Sequence, residues 1–302
     1  MAREPSNALI TIFIVMHTFG WTGSSLILLT VLCSTKVSRC LTWFNLNFSW
    51  IVACLSFSLL FITGQLGKSS PDAGVCLMQA SAVSAAPTLT AGATLAFVIF
   101  LFFELRSRGI EGATFSILLI SLPYLFPTII FSLALVHGIR HPRSVILSES
   151  KMFCTIDYRI LDKAATIFTC TIMLPTLTLN IVIGFLVQQY WRILPRDKRN
   201  GVLSSCVRLA IFTVFSLVGV VINVMFLTGL DWGAWSGLPN LLISLASVSY
   251  VAVFGSQRDL LEVWFPCIRN HKDNKVVEPP PSTTSWVQLI PTNFVHGHNV
   301  PV

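Results

Sequence analysis

The chain has 302 residues, 54% of them hydrophobic and only 11% charged, with a mean hydropathy of +0.75. A soluble domain of that composition could not cover its own surface with polar groups, so soluble classes are excluded and lipid must serve as the solvent. The formal charge of +7 is topological, as the loop count below shows, and does not point to nucleic acid.

Seven stretches without Asp, Glu, Lys or Arg follow in chain order: 5–35, 40–67, 73–103, 112–139, 164–191, 209–230 and 232–257. A hydrocarbon core about 30 Å thick needs roughly 20 apolar residues of helix, and each stretch is long enough. Backbone in lipid must satisfy its own hydrogen bonds, which leaves a helix bundle or a closed barrel; these runs lack the alternation of a barrel. The expected fold is an all-α membrane protein, a seven-transmembrane helix bundle with a short amphipathic cytoplasmic eighth helix. Residues 1–7 form the extracellular N-terminus, 8–268 the bundle with its interfacial helix, and 269–302 a disordered cytoplasmic tail.

In the first segment, Arg3 precedes an apolar run as in a signal peptide. The run continues for roughly 25 residues without a small-residue cleavage site after a short core, which favours a retained helix. His17 reads as a hydrogen-bonded packing residue, and Thr22-Gly23-Ser24-Ser25 as small residues at a helix contact. The second segment carries Asn45, Asn47 and Ser49; its Asn47-Phe48-Ser49 sequon lies inside a helix, beyond a glycosyltransferase. Further neutral polar groups are Gln79, Thr88 and Thr90 in the third, Asn180 in the fifth, Asn223 in the sixth, and Ser244, Ser247 and Tyr250 in the seventh. Most read as interhelical glue. Pro87, Pro123, Pro127 and Pro175 interrupt the third, fourth and fifth helices, allowing kinks that open a cavity or act as hinges.

Orientation follows from the basic residues. Placing the first, third and fifth loops and the C-terminus on one side collects thirteen: Lys36, Arg39, Arg106, Arg108, Arg192, Arg196, Lys198, Arg199, Arg208, Arg258, Arg269, Lys272 and Lys275. The other side has seven, namely Arg3, Lys68, Arg140, Arg143, Lys151, Arg159 and Lys163, with Glu149, Asp157 and Asp162 partly offsetting them. The N-terminus is therefore expected outside and the C-terminus in the cytoplasm, at the plasma membrane.

Of eight cysteines, only Cys76 and Cys154 face outside. An oxidising exterior permits a disulfide that ties the long fourth loop to the third helix, contributing a few kcal/mol; two unpaired thiols are the alternative. Past the seventh segment, Leu260, Leu261, Trp264, Phe265 and Ile268 share one helical face, with Arg258, Asp259 and Glu262 elsewhere. That is an interfacial helix ending near Pro266, or else a fraying continuation of the seventh helix. Cys267 is a candidate palmitoylation site. Beyond it, Pro279–Pro281 and Ser282–Ser285 make an extended tail with hydroxyls open to phosphorylation.

No ionisable side chain of the Asp, Glu, Lys or Arg type lies inside the seven segments, which argues against pumping and proton coupling. The seventh segment has no Lys for a retinal Schiff base. There is no His-Glu-x-x-His and no pair of intramembrane aspartates, so the chain does not read as an enzyme, and neither a cofactor nor a metal is expected.

Helix count, an outside N-terminus, the placement of Cys76 and Cys154, and an amphipathic eighth helix together resemble a seven-transmembrane receptor of the G-protein-coupled type. Asn45–Ile51, Ala85–Ala96, Leu174–Gly184 and Phe254–Trp264 are more particularly similar to an orphan fungal group of such proteins, over residues 40–267. The resemblance implies a cell-surface receptor with a heterotrimeric G protein as partner. The chain departs from the large rhodopsin-like class: Glu104-Leu105-Arg106 stands where that class ends its third helix with Asp/Glu-Arg-Tyr. The sixth segment has no Cys-Trp-x-Pro, and Tyr250 has no Asn-Pro before it.

Candidate ligand contacts are Met78, Gln79, Ser84, Thr88, Thr171, Asn223, Phe226, Trp235 and Asn240, all uncharged, so a small or lipid-like neutral ligand is expected. Glu104, Arg106 and Arg208 form a candidate switch, with Glu104 paired to Arg208 at rest; alternatively all three simply mark helix ends. Rival readings are a neutral-solute facilitator, for which no internal repeat is visible, and a membrane scaffold without signalling.

Overall fold

Charge-free apolar runs become helices because only an intrahelical ladder satisfies their backbone in lipid. A computed structural model describes residues 7–34, 39–68, 70–105, 113–191 and 238–264, and the single positions 211, 214, 215, 217, 218, 221 and 225. Five long helices are α1 (Asn7–Cys33), α2 (Leu41–Ile62), α3 (Ala73–Leu105), α4 (Ala113–Arg140) and α5 (Arg159–Trp191). All five are long and apolar enough to cross a membrane. In the seventh uncharged stretch stands α6 (Leu238–Gly255), a shorter apolar helix, followed by the seven-residue α7 (Arg258–Trp264). In the sixth stretch, each described position is helical.

Local chemistry sets the helix ends. Asp72 caps α3, its Oδ1 accepting from the backbone N–H groups of Gly74 at 3.0 Å and Val75 at 3.1 Å. Gly64, at φ +67°, takes the left-handed turn that releases the chain from α2. Pro87, Pro123, Pro127 and Pro175 all lie inside continuous helices. Between α4 and α5 the chain is not helical throughout. A 3-10 turn (Pro142–Ser144) leads into two short antiparallel strands, β1 (Val145–Leu147) and β2 (Cys154–Ile156), with Ile146 opposite Thr155.

α3 is the central helix, packed against α2, α4, α5 and the hairpin, while α1 packs against α2 and α6. Lipid supplies no hydrophobic drive between helices, so close approach and interhelical hydrogen bonds must hold them. A side chain on Gly92 would come within 3.2 Å of the Pro123 backbone, which is how closely α3 and α4 approach. The Tyr124 hydroxyl donates to Asn45 Oδ1 across α2 and α4. Thr88 and Thr169 share a hydroxyl hydrogen bond of 3.1 Å between α3 and α5. Large apolar residues such as Leu29, Leu118, Leu133 and Phe185 are exposed, as a lipid-facing surface requires.

The end of the bundle opposite the hairpin has its own fastening. Arg39, just before α2, donates to Gln257 Oε1 at 2.6 Å in the α6–α7 corner. The Trp264 indole N–H donates to Thr30 Oγ1 at 2.8 Å, and Leu260 is buried in a cluster with Ile27, Val31 and Leu46. The apolar face of α7 is thus spent partly on α1. Residues after 264, including Phe265, Ile268 and Cys267, lie outside the described residues.

Candidate functional site

A cavity of about 790 Å³ opens under the hairpin and runs inward between α1, α2, α3, α5 and α6. At the mouth stand Glu149, Arg159, Asp162 and Lys163, all exposed. Midway the wall turns neutral, with Ser84, Pro87, Thr166 and Asn240. Farther along the helices from the hairpin, the lining includes His17, Trp50, Cys54, Phe57, Thr94, Ser247, Tyr250 and Val253.

The hairpin is fixed as a roof by three links. Cys76 at the start of α3 forms a disulfide with Cys154 of β2, their Cα atoms 5.3 Å apart. Gln79, one turn further along α3 and fully buried, accepts a hydrogen bond from the Cys154 N–H at 2.9 Å. Its Nε2 donates to the carbonyls of Ser56 and Phe57 on α2, both at 3.2 Å. From the far side, Asn240 Nδ2 donates to Ser150 Oγ at 3.2 Å. The turn itself runs through Lys151 at φ +56° and sends Phe153 down onto Phe13 and Phe57, with ring centroids 6.0 and 5.5 Å away.

Below Phe153, His17 is enclosed by aromatic rings: Phe57 stacks on it at 4.7 Å and Phe13 meets it edge-on at 4.6 Å. Its Nδ1 lies 3.4 Å from Ser247 Oγ. Trp50 and Tyr250 stack at 5.0 Å beside it. Gly20 makes this convergence possible, because a side chain there would collide at 2.8 Å with both Cys54 Sγ and Ser247 Cβ.

Of the expected ligand contacts, Ser84 and Asn240 line the cavity. Gln79 and Thr88 are consumed in bonds between elements. Met78 is 48% exposed on the outer surface of α3, and Thr171 is exposed on α5 with its hydroxyl bonded to Ile167 O at 2.8 Å. Asn223, Phe226 and Trp235 lie outside the described residues, as do Arg106, Arg208 and the side chain of Glu104. Trp50, Cys54, Phe57 and Phe153 were not among the expected contacts. Only Phe153 carried a sequence signal, since it adjoins the cysteine that anchors the roof. Among the described residues no group of three His, Cys, Asp or Glu side chains is placed to hold a metal ion.

The fold is similar to that of squid rhodopsin. Its crystal structure matches with a TM-score of 0.56 over 87% of this chain and 86% of that one, at 12% sequence identity. Identity that low establishes a shared fold and nothing of ligand or partner. No family model matches the sequence, and no curated protein does. The finer likeness to an orphan fungal group therefore has no sequence relative behind it.

Proposed function

We propose that the chain is a cell-surface receptor that spans the plasma membrane seven times, binds a small or lipid-like neutral ligand in the cavity beneath the hairpin, and signals through its opposite end. The carrying observation is the cavity itself: it opens at one end of a rhodopsin-like bundle and is roofed by a hairpin tied to α2, α3 and α6. The excess of Lys and Arg in the other loops supports placing the hairpin end outside, and a disulfide suits that side. Stretch 209–230 supplies the sixth span, and Cys267 a lipid anchor after α7.

Glu104, Arg106 and Arg208 occupy the cytoplasmic ends of the third and sixth spans in this topology. Glu104 pairs with Arg208 at rest, and outward movement of the sixth span breaks the pair, so Glu104→Gln raises basal output; unchanged output at equal surface expression would remove the switch. A heterotrimeric G protein is the transducer the receptor reading implies. The test is a coupling assay in cells with the loop 191–205 intact and then scrambled. Signal lost on scrambling, at equal surface level, supports a receptor; no signal from the intact chain across a panel of G-protein subtypes and neutral lipids contradicts it.

A further inference from the structure

The inner part of the cavity is lined by side chains with polar atoms that have no partner among the described residues. His17 Nε2, Trp50 Nε1 and Tyr250 Oη are buried and have no hydrogen-bond partner among the described residues, and all three residues line the cavity. His17 is 1% exposed and Tyr250 3%. A buried unpaired polar atom costs about 1–3 kcal/mol, and three of those in this bundle belong to side chains that line one cavity.

They belong to one connected patch. The Trp50 ring stacks on Tyr250, Ser247 sits one helical turn before Tyr250 and touches His17, and Cys54, one turn along α2 from Trp50, meets Ser247 over Gly20. The chemistry of this patch is one-sided. An indole N–H can only donate. The Tyr250 hydroxyl has no acceptor among the described residues, and the imidazole presents either role at Nε2 depending on which way the Ser247 hydrogen bond runs. Among the described residues no Asp, Glu, Lys or Arg lines the wall beside this patch; the charged lining residues are Glu149, Arg159, Asp162 and Lys163 at the mouth. Around the patch the wall is apolar, with Phe57, Ala53, Ala246 and Val253.

We propose that His17, Trp50 and Tyr250 form a subsite for the carbonyl oxygen of an uncharged, apolar-bodied ligand such as a ketone or ester, with the hydrocarbon body lying along the aromatic wall toward Phe153. This inference deepens the receptor reading but rests on the cavity alone, so loss of signalling with binding intact leaves it standing. A carboxylate is disfavoured because it would lose its hydration against neutral donors with no cation beside it. A pure hydrocarbon leaves the donors unpaired.

The experiment uses the full chain in nanodiscs with three probes of matched length: 2-undecanone, undecane and undecanoate. The ketone is expected to raise the thermal midpoint of the wild-type protein at concentrations where undecane and undecanoate do not. In Trp50→Phe/Tyr250→Phe, which leaves an aromatic ring at each position, its affinity falls roughly tenfold, the value of two neutral hydrogen bonds. Leu133→Ala, on the exposed face of α4 away from the cavity, keeps wild-type affinity. With a 13C-labelled carbonyl, the infrared stretch of the bound ketone moves to lower frequency in the wild type and returns toward the free value in the double variant. The wild-type comparison and the spectrum of the wild-type complex need no variant to fold. Equal shifts from undecane and 2-undecanone, a larger shift from undecanoate, no shift from any probe, or an unmoved carbonyl stretch each overturn the proposal.

Discussion

Replacing Gln79 by Leu tests whether this side chain holds the roof or contacts the ligand. Gln79 is fully buried and makes three hydrogen bonds: two from its Nε2 to carbonyls of α2 and one from the Cys154 N–H to its Oε1. The α2 carbonyls retain their intrahelical donors in the variant, whereas the Cys154 N–H is left buried and unpaired. Leaving one buried donor unpaired and losing two further amide contacts costs about 2–4 kcal/mol. At roughly 2–4 °C per kcal/mol, the thermal midpoint should fall by at least about 4 °C, read by unfolding of purified protein in nanodiscs. Hydrogen exchange should rise at residues 148–156, because both the disulfide and Gln79 hold β2. For the same reason Gln79→Leu should cost less once Cys76 and Cys154 are serine, since the two links act on one strand. A midpoint within about 1 °C of wild type, combined with lost ligand binding, would refute the structural role and return Gln79 to the ligand contacts.

Reduction of Cys76–Cys154, or its replacement by serines, opens a link between positions 78 apart and should lower stability by up to about 4 kcal/mol; an unchanged thermal midpoint with reductant would contradict this. Gly20→Val drives a branched side chain into Cys54 and Ser247, where even a single carbon meets atoms at 2.8 Å, and should cost about 1–3 kcal/mol in the same measurement. Trp264→Phe removes the hydrogen bond to Thr30 and should cost about 1 kcal/mol, with Thr30→Val giving no further loss in that background; fully additive losses would show that the two side chains act separately.

The helices were legible because charge in lipid is costly, and α1, α3 and α4 begin and end within two residues of the uncharged stretches, while α2 stops five residues short at the turn through Gly64. At α5 the rule fails. The helix starts at Arg159, five residues before its stretch, because charges past the hydrocarbon edge do not oppose helix formation. The hairpin strands are three residues each, too short for any period to register. Cys76 and Cys154 were legible by compartment, with no reference to the strand that presents one of them. The site was readable as a set of residue types and illegible as a surface. A helix apolar all round carries no moment to say which face looks inward. Ser84 and Met78 both sit on α3, yet one lines the cavity and the other faces out. Trp50 and Phe57 were invisible for the same reason, since an aromatic residue in an apolar helix has no contrast with its neighbours.

The division between a charged mouth and a neutral interior bears on how selection works. Glu149 and Asp162 balance Arg159 and Lys163 at the opening, and all four are exposed. At physiological ionic strength charges are screened within about 8 Å, so a balanced, solvated ring selects little by net charge. Away from the mouth, an ion would lose its hydration at a cost of several kcal/mol with no counter-charge among the described lining residues. On the proposed receptor reading, discrimination against charged molecules falls to the interior, and the mouth governs only approach. Arg159→Glu/Lys163→Glu should accordingly leave the equilibrium affinity for 2-undecanone unchanged, while a charged probe meets altered association at low salt. A tenfold affinity change for the neutral ketone would mean that the mouth contacts the ligand directly and that the binding position lies higher in the cavity than Trp50 and Tyr250.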